Sequence, residues 1–84
     1  MNEIRVEPDI VFEIRDIVKH MHTLSYFYVC NIDNDEKKEM YMQELIEYKL
    51  LYEAKTGDML KKYGLYNEKH NWSLDFDMGI LFYD

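Results

Sequence analysis

Apolar side chains recur at Ile10, Ile14, Ile17, Met21, Leu24 and Tyr28, alternately four and three residues apart. That spacing is one face of an α-helix, which completes a turn about every 3.6 residues, and such a face is stable in water only when covered. The chain supplies a cover at once. Asn31-Ile32-Asp33-Asn34 reads as a turn, and Tyr41, Leu45, Tyr48, Tyr52, Met59 and Tyr63 then form a second helical stripe. Two amphipathic helices joined by so short a connection fold back on each other as an antiparallel hairpin.

Local signals bound both helices. Pro8 fits a first helical turn, where its missing N–H costs nothing, and Asp9 suits the positive end of the helix dipole. The first helix is expected over 9–30, with Val11 and Val18 widening its apolar stripe. Asp33 or Asn34 can cap the second helix, expected over 35–63, with Asp35 and Glu36 in its first turn. Gly64 supplies a left-handed stop after Lys61 and Lys62. Gly57 costs about 1 kcal/mol relative to Ala inside a helix and is the expected point for a kink or break. Met42, Ile46 and Leu60 flank the second stripe, while Leu50 and Leu51 lie outside both.

The ends of the chain have the other period. Ile4 and Val6 alternate with polar neighbours, giving an arm or short strand over 1–8. Residues 67–71 read as a polar loop. Ser73 to Met78 alternates strictly, Gly79 interrupts, and Ile80 to Tyr83 is a second apolar run, so residues 65–84 hold a loop and one or two short strands. The expected fold is mainly α, an antiparallel two-helix hairpin with a small β element from the N- and C-terminal segments, in one domain spanning 1–84.

A chain of 84 residues buries only about 60% of its unfolded surface. Cys30 is its sole cysteine, so no disulfide helps, and a lone thiol suits a reducing compartment. Large side chains compensate: 8 Tyr, 4 Phe, 6 Met and 1 Trp within 48% apolar content exclude a disordered chain. Self-association is a further remedy at this size. The formal charge of −7 repels phosphates, so direct nucleic-acid binding is not expected. With no targeting segment and no long apolar run, a cytoplasmic protein without membrane contact is expected.

Chemistry-bearing motifs are scarce. His20 and His22 are two apart, roughly 200° around a helix, and cannot share a metal ion. The acidic turn at Asp33 to Glu36 lacks the glycine and terminal glutamate spacing of a calcium loop. Cys30 ends an apolar helix at the negative end of its dipole and reads as a buried, inert thiol. Gly57, Gly64 and Gly79 stand alone, so no phosphate loop exists, and Glu44 and Glu47 among lysines read as a solvated face. No catalytic residue, metal ligand or cofactor is assigned, and the chain is not read as an enzyme.

Two features point instead to a protein partner. Aromatic side chains exceed what two helical faces can cover, and Tyr26, Phe27, Tyr48 and Tyr52 are the expected interface. The acidic, aromatic tail is the second, with Trp72, Asp75, Phe76, Asp77 and Asp84 as expected partner-binding residues. The leading functional expectation is a non-enzymatic small acidic protein that occupies a basic surface of a protein partner, in the manner of phage-type inhibitors and immunity factors; some of these place carboxylates where a nucleic-acid enzyme expects phosphates. The alternative is a structural or assembly subunit, as a homodimer or larger homo-oligomer. The order of Asp33-Asn34-Asp35, Lys62-Tyr63-Gly64 and Trp72 resembles small spore coat proteins of the CotJB type over most of the chain. Met78-Gly79-Ile80 stands where that family has a proline- and tryptophan-rich ending, and no membership is assigned.

Overall fold

The computed structural model describes residues 2–66 and 71–84. Along the chain run β1 (Asn2–Arg5), α1 (Pro8–Cys30), α2 (Asp35–Lys62), β2 (Trp72–Asp75) and β3 (Ile80–Tyr83). The fold is mainly α: α1 and α2 form the hairpin, and the chain's two ends form a three-stranded sheet in the order β1-β3-β2, antiparallel throughout. Of the polar loop expected at 67–71, only Asn71 lies within the described residues.

Helix boundaries follow the capping chemistry. Pro8 opens α1. Asn34 caps α2, its side-chain oxygen accepting the Lys37 N–H at 3.1 Å, and Asp35 and Glu36 occupy the first turn. At the far end Gly64 takes φ +76°, open only to residues that tolerate the left-handed region. The Leu65 N–H then reaches back to the Leu60 carbonyl at 2.8 Å, and the Gly64 N–H to that of Lys61 at 3.2 Å. This double bond pattern ends a helix and aims the next side chain inward; Leu65 is accordingly buried.

Two expectations are corrected. Gly57 does not divide α2, which runs unbroken to Lys62. Its neighbours Thr56 and Met59 are buried, and Tyr66 lies against the glycine, so packing outweighs the weak local preference. The strand expected over 73–78 ends at Asp75. One carboxylate oxygen of Asp75 accepts the N–H groups of Asp77 and Met78 at 3.0 and 2.9 Å, and its carbonyl accepts that of Gly79 at 2.8 Å. These bonds bend Phe76–Gly79 into a four-residue loop, closed by Gly79 at φ +67°.

Register determines which side chains enter the core. Ile4, Leu81 and Leu74 form one row across the sheet, and Asn2, Tyr83 and Trp72 the next row on the same face. This face packs on the hairpin's base, where Val6, Val11, Ile14, Met59, Leu65 and Leu81 make the core. Buried Thr56 satisfies its hydroxyl on the Tyr52 carbonyl at 2.8 Å. Around the core, Lys62 pairs with Glu7 at 2.7 Å, Lys55 with Glu13 at 3.2 Å, and the Tyr63 hydroxyl accepts the Glu7 backbone N–H at 3.0 Å. The hydrogen bond to Glu7 holds the Lys62 ammonium above the usual lysine range. Because the folded pKa is raised, this contribution is intact at neutral pH and lost only as pH climbs through that alkaline value.

Towards the turn, cover thins out. Ile17 and Leu24 are buried between the helices, but the molecule is 45 × 25 × 21 Å and the sheet sits at one end. Replacing Ile14 with Ala should cost about 2–5 kcal/mol in urea unfolding, as expected for a cavity at a closely packed site; a cost under about 0.5 kcal/mol would place it at the surface. Gly57→Ala should raise stability by roughly 0.5–1 kcal/mol, since the added methyl would sit 3.5 Å from Tyr66, at ordinary contact distance. A fall in thermal midpoint would show that this contact is tighter.

Candidate protein-interaction surface

The second helix is amphipathic in two directions. Tyr41, Leu45, Tyr48, Tyr52 and Met59 face α1 and are half-buried or buried. At about 100° per residue, Ile46, Glu39, Leu50, Gln43, Glu36, Glu47, Met40 and Leu51 fall in that order across an arc of roughly 140° on the opposite side. All eight are exposed, Leu50 at 60%. The charges are segregated. Over 36–51, Lys37, Lys38 and Lys49 project outside this arc, towards the α1 side, whereas Glu36, Glu39 and Glu47 lie within it; Lys61 returns to the arc only near the end of the helix. Glu44 borders it at one edge and Glu53 at the other. Glu36, Glu39 and Glu47 are therefore set apart from the lysines that stand among them in the linear sequence, because alternation along the chain becomes separation around the helix, while Asp35 pairs with Lys38 at 3.9 Å. Beside this face a hollow of about 520 Å³ opens near the hairpin's tip, with Tyr28, Lys38, Glu39 and Met42 in its walls.

The aromatic residues divide. Tyr48 stacks on His20 with ring centres 5.2 Å apart and planes 9° from parallel, and the His20 Nδ1 lies 2.8 Å from the Asp16 carbonyl. Tyr52 packs against the core. Both are half-buried within the hairpin seam, so the tyrosine surplus is smaller than composition suggests. Phe27 stacks on Tyr41 at 5.6 Å yet remains exposed, and Tyr26 is 67% exposed. Cys30 corrects another expectation: it is exposed at the last turn of α1, where none of the described residues buries it. The neighbouring Cys30 thiol raises the Tyr26 phenol above its usual range.

The tail residues are not brought into one cluster. Asp75 and Asp77 lie at the β2–β3 turn, whereas Trp72 and Asp84 lie at the other end of β3, about 13 Å away for four extended residues. Trp72 is on the sheet face turned to the core, and half-buried Phe76 packs against the same cluster. Asp75 is engaged in its own loop, and the Asp84 backbone N–H donates to the Asn71 carbonyl at 3.2 Å.

Leu50 and Leu51 carried the sequence-level signal for the outward α2 face, being apolar residues that fitted neither stripe. Among the described residues no cluster of three or more His, Cys, Asp or Glu could hold a metal ion, and no helix is long and apolar enough to cross a membrane. Comparison with known protein families, curated proteins and solved structures gives no match.

The Asp75 contacts give a direct test of its role. Asp75→Ala should lower stability by about 1–2 kcal/mol through loss of two hydrogen bonds to a carboxylate. Asp75→Asn retains an acceptor oxygen and should cost less than half of that. Equal losses in thermal or urea unfolding would contradict a turn held by the side-chain oxygen.

Proposed function

We propose that this chain is a non-enzymatic protein-binding module, docking through the outward face of α2 onto a partner surface that is both apolar and basic. The observation supporting this reading is the outward arc of α2 over 36–51, which carries no lysine, with exposed Met40, Ile46, Leu50 and Leu51 beside Glu36, Glu39 and Glu47. Exposed apolar residues grouped on one helix face, with charges of one sign around them, have the composition of a helix that lies in a partner's groove. A copy of the same face would set glutamate against glutamate, so the acidic rim favours a different, cationic partner. Occupying such a surface blocks whatever else binds there, which agrees with an inhibitor or immunity factor. A partner that handles nucleic acid is the natural source of a basic apolar surface.

A second reading, an assembly subunit, draws on the outer end of α1. From His20 to Ile32 there is no Asp, Glu, Lys or Arg, and Tyr26, Val29 and Ile32 are exposed. Sedimentation separates the two. The binding-module reading expects a monomer at micromolar concentration, whereas a stable dimer that protects Tyr26 supports assembly. For the leading reading, Ile46→Ser with Leu50→Ser should abolish capture of a partner from the source lysate while changing stability by less than about 0.5 kcal/mol each. Glu39→Lys with Glu47→Lys should weaken capture and its salt dependence. Capture that survives both pairs would remove this face from the account.

A further inference from the structure

The two arginines of the chain, Arg5 and Arg15, meet at one cleft. It is a concavity of about 290 Å³ between the end of β1, the first turns of α1 and the β2–β3 loop. Phe12, Phe76 and Met78 contribute apolar wall, and Asp77 is the acidic residue in the lining. Phe12 and Met78 are 62% and 59% exposed, a large apolar area for a surface that covers nothing of its own chain. Among the described residues neither arginine forms an ion pair, whereas Lys38, Lys55 and Lys62 each do.

We infer that the Arg5–Arg15 cleft is a second binding site, which takes a single carboxylate carried on an aromatic or aliphatic peptide segment. Guanidinium is the side chain suited to this: its planar fork meets both oxygens of a carboxylate and its face stacks on rings, so Phe12 in the same lining belongs to the same design. Among the residues lining the cleft, two guanidiniums less Asp77 leave one net positive charge, which one carboxylate neutralises. A phosphate dianion exceeds that charge and also meets the repulsion of a chain at −7, and polyphosphates meet more of it. The apolar walls supply the rest of the recognition, by burying the residue that carries or adjoins the carboxylate.

This site is distinct from the outward face of α2 and stands or falls separately. The test titrates isotope-labelled protein with acetyl-Phe-Asp-amide, with acetyl-Leu-Phe bearing a free C-terminal carboxylate, with acetyl-Phe-Asn-amide, and with inorganic phosphate, following backbone amide resonances. The two carboxylate peptides should give saturable shifts at Phe12, Arg15, Met78 and Gly79, and whichever binds more tightly identifies a side-chain or a terminal carboxylate as the natural group. The Asn peptide should bind at least about tenfold more weakly, as expected for loss of charge-assisted bonds. Arg5→Gln and Arg15→Gln should each weaken the carboxylate peptides about fivefold or more with little change in thermal midpoint, and Met78→Ala should weaken both peptide classes alike. Equal binding of the Asp and Asn peptides, tighter binding of phosphate, or no saturable shift with any peptide would each overturn the proposal.

Discussion

Ile14, Met59 and Leu81 are the three largest fully buried side chains, and each comes from a different layer: α1, α2 and β3. Their meeting closes the two ends of the chain over the base of the hairpin. Two helices alone present one shared seam, and a pair of amphipathic helices of this length is marginal without a third layer. The sheet supplies that layer through a single face, with Leu81 at the centre of its middle strand. The lateral clamps at Glu7, Glu13, Lys55, Lys62 and Tyr63 lie around this contact and depend on it for their alignment.

The reach of that layer is limited. A four-residue strand spans about 13 Å, whereas a 23-residue helix is about 35 Å long. The sheet therefore cannot cover the hairpin's outer half, where the seam is held by Ile17 and Leu24 and by stacked rings such as His20 on Tyr48 and Phe27 on Tyr41. The base holds the packed core, and beyond it α2 and the end of α1 carry apolar residues on faces that the fold leaves uncovered. Such an arrangement allows changes in exposed residues with little effect on folding, because they share few contacts with the core.

Hydrophobic period made the helices and the hairpin legible, and the stop at Gly64 followed from its position after Lys61 and Lys62. Strand existence was also readable from Ile4 and the run Ile80 to Tyr83. The end of β2 was not, because Asp75 caps its own loop, and an alternating pattern cannot distinguish a side chain that lines a strand from one that bends it. Gly57 misled because propensity describes the local chain, whereas Tyr66, nine residues later, packs onto that glycine. The outward face of α2 was hidden by reading charge along the chain, in which Lys37, Lys38 and Lys49 stand among glutamates. Arg5 and Arg15 were invisible as a pair because one belongs to a strand and the other to a helix.

Charge placement also bears on the choice between a second copy and a different partner on the proposed function. The outward face of α2 exposes Met40, Ile46, Leu50 and Leu51, enough apolar surface to draw copies together. Lysines gathered towards α1 leave the glutamates alone on the opposite side, so a second copy approaching that face meets like charge at short range, where repulsion costs most. A basic partner meets the same glutamates as attraction. On the proposed function, one set of side chains would both disfavour the symmetric encounter and steer the heterologous one, with discrimination arising from that difference rather than from added contact area. The small, strongly negative chain further weakens self-encounter at low ionic strength, and this long-range effect fades as salt shortens the screening length to about 8 Å under physiological conditions. What persists in salt is the local pattern on α2, set by which turn of the helix each glutamate and lysine occupies.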